Sequence, residues 1–152
     1  MPASKTSEPA LDSTGGPFRL DDHAGAPVVL FFYPKDNTPG CTAEAAAFRD
    51  LHPAFRKAGA KIFGISRDSL ASHAKFKQKM AFAFELVSDP DEALCNRFDV
   101  IRRKKLYGRD VRGIERSTFV VGADGSIAKE WRGVKVPGHA DEVLAFVKSL
   151  RD

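Results

Sequence analysis

Cysteine is scarce in this chain, with two among 152 residues, Cys41 and Cys95. Two such distant cysteines cannot build a disulfide framework, and their separation matches neither a C-x-x-C redox pair nor a zinc knuckle. Cys41 is followed by Thr42-Ala43-Glu44, which excludes local dithiol exchange. Long apolar runs are also missing: nothing approaches the ~18 consecutive apolar residues of a membrane span. The first residues, Met1 to Pro9, hold no apolar segment of the kind that directs secretion. The expectation is a soluble, cytoplasmic protein without a membrane partner.

Acidic residues are outnumbered, 20 against 24 Lys and Arg, for a formal charge of +4. The segment from Arg102 to Arg112 is the best support for a nucleic-acid partner. Asp110 and Glu115 interrupt it and no recognition motif accompanies it, so it reads as a solvated loop leading into the next strand, with no nucleic acid implied. Apolar material is ample, at 43 % hydrophobic residues with 12 Phe, enough for the core of one domain.

Residues 1–16 are rich in Ser, Pro, Gly and Thr and are expected to lie loosely, with a single domain over 17–152. Phe18-Arg19-Leu20 reads as a short strand. Val28–Tyr33, a continuous apolar run, reads as a buried central strand. After Cys41 the period becomes helical: Phe48, Leu51 and Phe55 share a face, Pro53 is expected to kink or restart the helix, and Gly59 to close it. Further strands are expected at Ala60–Ser66 and Phe84–Ser88, with a polar helix over Ser69–Met80 between them. Asp89-Pro90-Asp91-Glu92 carries the signals of a helix start, with Asp89 as N-cap, Pro90 at N1 and Glu92 at N3. Arg116–Val121 and Ser126–Trp131, joined by Ala123-Asp124-Gly125, read as a hairpin, and Asp141–Leu150 as a closing helix with Val143, Val147 and Leu150 inward. This alternation predicts an α/β chain with a mixed sheet flanked by helices, the order of a thioredoxin-like fold.

Thr38-Pro39-Gly40-Cys41 stands between the central strand and the helix that follows. Cys41 therefore falls in the first turn of a helix, where free backbone N–H groups and the positive end of the dipole favour a thiolate. Ionisation alone accelerates a thiol only modestly, so a hydroxyl and a cation are expected near Cys41.

The stretch Tyr33-Pro34-Lys35-Asp36-Asn37-Thr38-Pro39-Gly40-Cys41 closely resembles the active-site motif of peroxiredoxins, with Pro34, Thr38 and Cys41 in its three defining places. Phe32-Tyr33-Pro34-Lys35-Asp36 before it and Phe48-Arg49-Asp50 after it resemble the peroxiredoxin Q, or bacterioferritin comigratory protein, group. Gly64–Ser69 and Gly113–Phe119 match as well, and Arg116 occupies the place of the family's second active-site residue. The resemblance implies the thioredoxin-like peroxiredoxin fold, a monomer, no cofactor or metal, and a thiol-dependent reduction of hydrogen peroxide or organic hydroperoxides. It implies that Cys41 attacks the O–O bond, that Thr38 hydrogen-bonds the peroxide, and that Arg116 stabilises thiolate and leaving group. Pro34 and Pro39 would shield the site, the N–H groups of Gly40 and Cys41 would complete the oxygen pocket, and Glu44 looks like the family's acidic position.

The pattern breaks at the resolving cysteine. Ala46 and Lys77 stand where relatives carry one, which leaves only Cys95, set between Leu94 and Phe98 where a cysteine commonly packs as a small hydrophobe. One-cysteine turnover is therefore expected, with thioredoxin, glutaredoxin or glutathione reducing the sulfenic acid. A cysteine hydrolase using His23, His52, His73 or His139 is the rival enzyme, and a redox-sensing or holdase-like protein using the 102–112 segment is the rival without catalysis.

Overall fold

The computed structural model describes residues 11–12 and 15–150. A six-stranded mixed sheet runs through it in the order β1-β4-β3-β2-β7-β8, where β1 is Leu11–Asp12, β2 Val28–Phe32, β3 Lys61–Ser66, β4 Glu85–Ser88, β7 Ser117–Val121 and β8 Ile127–Arg132. A separate hairpin, β5 Ile101–Leu106 and β6 Arg109–Ile114, stands beside it. The helices are α1 Pro39–Lys57, α2 Leu70–Met80, α3 Ala93–Arg97 and α4 His139–Ser149.

β2 is central because every residue in it is buried, as its unbroken apolar run requires. It pairs parallel with β3 and antiparallel with β7. Its alternate side chains feed two cores. Val29, Phe31 and Tyr33 point to the layer of α1, α2 and α4, packing with Phe48, Phe55, Phe76, Val143 and Val147. Val28, Leu30 and Phe32 point to the opposite layer, with Leu94, Cys95, Phe98 and Phe119. Cys41 belongs to the first core and Cys95 to the second, so the sheet lies between them.

Five local expectations are corrected. Phe18-Arg19-Leu20 is not a strand: the edge strand is Leu11–Asp12, antiparallel to β4 and inside the segment expected to lie loosely, while Leu20–His23 forms a 3-10 turn. Pro53 does not restart α1, which runs continuously from Pro39 to Lys57 with Pro53 exposed. The helix after Asp89 begins only at Ala93, because Glu92 takes a left-handed conformation (φ 63°); Asp89 still caps it from a distance, accepting the N–H groups of Leu94 and Cys95 at 3.2 and 2.8 Å. The 102–112 segment is not a loop but most of the β5–β6 hairpin, turned at Tyr107 (φ 53°) and Gly108 (φ 77°), a pair of positive φ values that suits a two-residue turn. Leu150 is exposed; the inward face of α4 is Val143, Leu144 and Val147.

Candidate active site

The loop from the end of β2 delivers Thr38 in extended backbone (φ −93°, ψ 156°) as the N-cap of α1. Its carbonyl accepts the Thr42 N–H at 2.8 Å, which starts the helix. Pro39 takes the first helical position, where its missing N–H costs nothing, and Gly40 and Cys41 follow. No acidic side chain occupies this turn, so the positive end of the helix is not offset locally. Cys41 is 2 % exposed. The Thr38 hydroxyl does not cap the helix; it donates to the Lys35 carbonyl at 2.9 Å, which commits its proton and leaves its oxygen free to accept.

Arg116, in the two-residue link from β6 to β7, emerges beside this turn, because β7 pairs with β2 and Ser117 stands opposite Phe32. Its Nη1 donates to Glu44 Oε1 at 2.7 Å. Its Nη2 lies so close to Gly40 that a Cβ added there would stand 3.0 Å from it. The guanidinium therefore covers one side of the first turn, between Gly40 and Glu44, with Cys41 between those two in sequence. Burial disfavours its charge, but Glu44 and the Cys41 sulfur outweigh that and raise its pKa further.

Glu44 lies three residues after Cys41 and is 1 % exposed. Its Oε1 holds Arg116 while Oε2 has no hydrogen-bond partner. Burial pushes its pKa up to about 7, against the opposing pull of Arg116. Pro34 and Pro39 are both exposed at the rim. Cys95 is fully buried, and burial together with the Asp89 carboxylate raises its thiol pKa well above the usual range.

Sequence reasoning missed the polar cluster behind the loop, where Tyr33, Ser72 and His73 all bond Asp36. Tyr33 and Asp36 were visible as neighbours in the loop, but nothing local signals that His73, on α2, joins them. Asp36, Asp68 and His73 bring two carboxylate oxygens and a ring nitrogen within 4.8 Å of one another. All of them are engaged in hydrogen bonds, so the cluster is a closed network rather than an open ligand set.

With this geometry established, residues 2–130 match the model of the AhpC/TSA family. The chain belongs to that family. It is 54 % identical to Peroxiredoxin Bcp of Xanthomonas campestris over 98 % of this chain and 93 % of that one. It is 46 % identical to Peroxiredoxin Bcp of Bacillus subtilis, covering 91 % and 88 %. Among solved structures, the bacterioferritin comigratory protein of Xanthomonas campestris superposes with a TM-score of 0.93 at 53 % identity, covering 99 % of this chain and 96 % of that one. The protein is thus a peroxiredoxin of the Q group with the thioredoxin-like fold, and a thiol-dependent peroxidase acting on peroxide with a thiol reductant. Among the described residues no helix is long and apolar enough to cross a membrane.

The four histidines of the hydrolase alternative are engaged elsewhere. His73 faces Asp36, His139 faces the Thr118 hydroxyl at 2.8 Å, His23 faces Lys61, and the His52 ring packs perpendicular to Phe84.

Proposed function

We propose that Cys41 is the residue that attacks the peroxide and that the peroxidase turns over on this one cysteine. The observation that carries the reading is the Arg116 guanidinium laid against the first turn of α1 and held there by Glu44, beside the Cys41 sulfur. The Cys41 thiolate forms an S–O bond to one peroxide oxygen as the O–O bond breaks. The other oxygen leaves as alkoxide or hydroxide and takes up a proton, giving an alcohol or water. Arg116 stabilises the thiolate before the attack and the leaving oxygen during it, and the Thr38 oxygen accepts a hydrogen bond from the peroxide. The free N–H groups of Gly40 and Cys41 complete the oxygen pocket, and Pro34 and Pro39 form its rim.

The sulfenic acid is then reduced by an external thiol, with release of water and formation of a mixed disulfide that a second thiol resolves. Thioredoxin, glutaredoxin and glutathione all have this chemistry. The placement of Cys95 across the sheet, with a thiol held protonated, supports an external partner over an internal disulfide. The structure of the Xanthomonas campestris relative concerns alkyl peroxide reduction. That supports organic hydroperoxides as substrates here alongside hydrogen peroxide. Membership of the Q group supports a cytoplasmic monomer.

The test is the intact mass of the reduced protein after one equivalent of hydrogen peroxide, with rapid thiol blocking. The expected result is a gain of about 16 Da located at Cys41. A loss of about 2 Da would instead join Cys41 to Cys95 and overturn one-cysteine turnover.

A further inference from the structure

The loop that carries Pro34 and Thr38 is held from behind by a buried polar network that the reaction itself does not use. Asp36, in the middle of that loop, is 7 % exposed. Its backbone N–H donates to Asp68 Oδ2 at 2.8 Å. Its Oδ1 accepts the Tyr33 hydroxyl at 2.6 Å, and its Oδ2 accepts the Ser72 hydroxyl at 2.7 Å and faces His73 Nδ1 at 2.7 Å.

His73 is fully buried on α2, and its Nε2 faces the Val87 carbonyl oxygen at 3.0 Å. A carbonyl only accepts, so Nε2 carries a hydrogen. Ser66, whose proton goes to Asp68, presents its oxygen to the same nitrogen at 3.4 Å. Nδ1 faces the Asp36 carboxylate, so the ring ties β4 on one side to the loop on the other. Burial works against the Asp36 charge, yet the bonds from His73, Tyr33 and Ser72 outweigh it and hold the carboxyl below its usual range. Tyr33 is pushed the other way by burial and by Asp36, and stays a neutral donor.

The next residue, Asn37, takes a left-handed conformation (φ 62°), and its Oδ1 accepts Lys79 Nζ at 2.7 Å. Three residues of α2, namely Ser72, His73 and Lys79, therefore grip two consecutive loop residues, and Thr38 is the residue after them. Thr38 itself has one side-chain bond, to Lys35 within the same loop. The location of its hydroxyl is set by the loop, and the loop by α2.

We infer that the Asp36–His73 pair, with Ser72 and Lys79, is a positioning device for peroxide reduction, fixing the loop so that the Thr38 oxygen meets a peroxide in line with Cys41. This rests on the reading of Cys41 and Thr38 given above. None of the four touches the reacting atoms. Their effect passes through Thr38, and a displacement of about 1 Å at such a group is enough to slow chemistry a hundredfold.

The experiment compares two rates at Cys41: oxidation by hydrogen peroxide, which uses Thr38, and alkylation by iodoacetamide, which does not. His73→Leu is expected to slow peroxide oxidation by about tenfold or more and to leave alkylation within about twofold. His73→Asn, whose amide nitrogen stands where Nδ1 stood, is expected to retain most of the peroxide rate. In a Thr38→Val background, His73→Leu is expected to cost less than about twofold further, since nothing remains to position.

Full additivity of the two substitutions, a parallel fall of both rates, or an unchanged peroxide rate in folded His73→Leu protein would each overturn the proposal. A parent rate in Thr38→Val alone would remove Thr38 from the chemistry, which is the failure of the site reading rather than of the positioning. If His73→Leu does not fold, Ser72→Ala combined with Lys79→Ala removes the outer contacts of the same grip. A loss of about threefold or more with unchanged alkylation supports the proposal, and no loss overturns it.

Discussion

At Glu44, burial and charge oppose each other. A carboxyl with 1 % exposure and one unpartnered oxygen gains a proton more readily folded than unfolded, with its pKa up to about 7. The folded state then holds more protons than the unfolded state from the usual carboxyl range up to that value. The stability from this group is present at low pH and is lost as pH rises through about 7. The difference in unfolding free energy between the parent and Glu44→Gln should therefore move against the parent from pH 5 to 8, by at most about 3 kcal/mol. Urea unfolding at a series of pH values checks this, and a pH-independent difference would refute it. At the residues proposed to carry the reaction, Cys41→Ser should eliminate peroxide reduction. Thr38→Val and Arg116→Gln should each cost about 10²-fold in single-turnover oxidation, as loss of an oxyanion donor or its equivalent does.

At the scale of elements, two short pieces depend on side chains that sequence signals misplace. α3 is five residues long, too short to be stable by its own backbone bonds, and Asp89 supplies partners for two of its orphan N–H groups. Asp89→Ala should lower stability by about 1–2 kcal/mol and speed amide exchange at Leu94 and Cys95 before other core amides. The β5–β6 hairpin places Arg103 opposite Arg112 and leaves Lys104, Lys105 and Arg109 exposed. Arg112 bonds Glu92, which this pairing and Arg67 hold well below the usual carboxyl range, at about 2. Replacing Arg103, Lys104 and Lys105 with Gln should leave peroxide turnover within about twofold of the parent. A large loss would restore the reading in which this segment is the working surface.

At the scale of the whole molecule, the sheet separates the two cysteines. Cys41 and Cys95 sit in cores on opposite faces of β2, so joining them would require the sheet to open. Cys95→Ala should therefore keep full turnover with an external thiol, and should cost about 1 kcal/mol for the small cavity left at a fully buried position. Loss of turnover in the folded variant would make Cys95 a resolving residue. The same layering explains how Arg116 reaches Cys41. β7 lies directly beside β2, with Phe32 opposite Ser117, so the residue before β7 emerges next to the loop that follows β2.

What the sequence determined by itself was local or compositional. An unbroken apolar run at Val28–Tyr33 made a central strand. Helical spacing at Phe48 and Phe55 made a buried face, and the Pro34, Thr38 and Cys41 motif set a cysteine in the first turn of a helix. Tertiary structure decided the rest, because those features depend on contacts distant in the chain. Leu11–Asp12 became a strand only because β4 had an open edge, and Pro53 stayed helical because α1 is packed along its other face. The start of α3 moved to Ala93 when Glu92 turned left-handed and paired with Arg67 and Arg112. The grip of His73 on Asp36 spans 37 residues, a separation over which periodicity and spacing carry no signal and only the packing of α2 against the loop does.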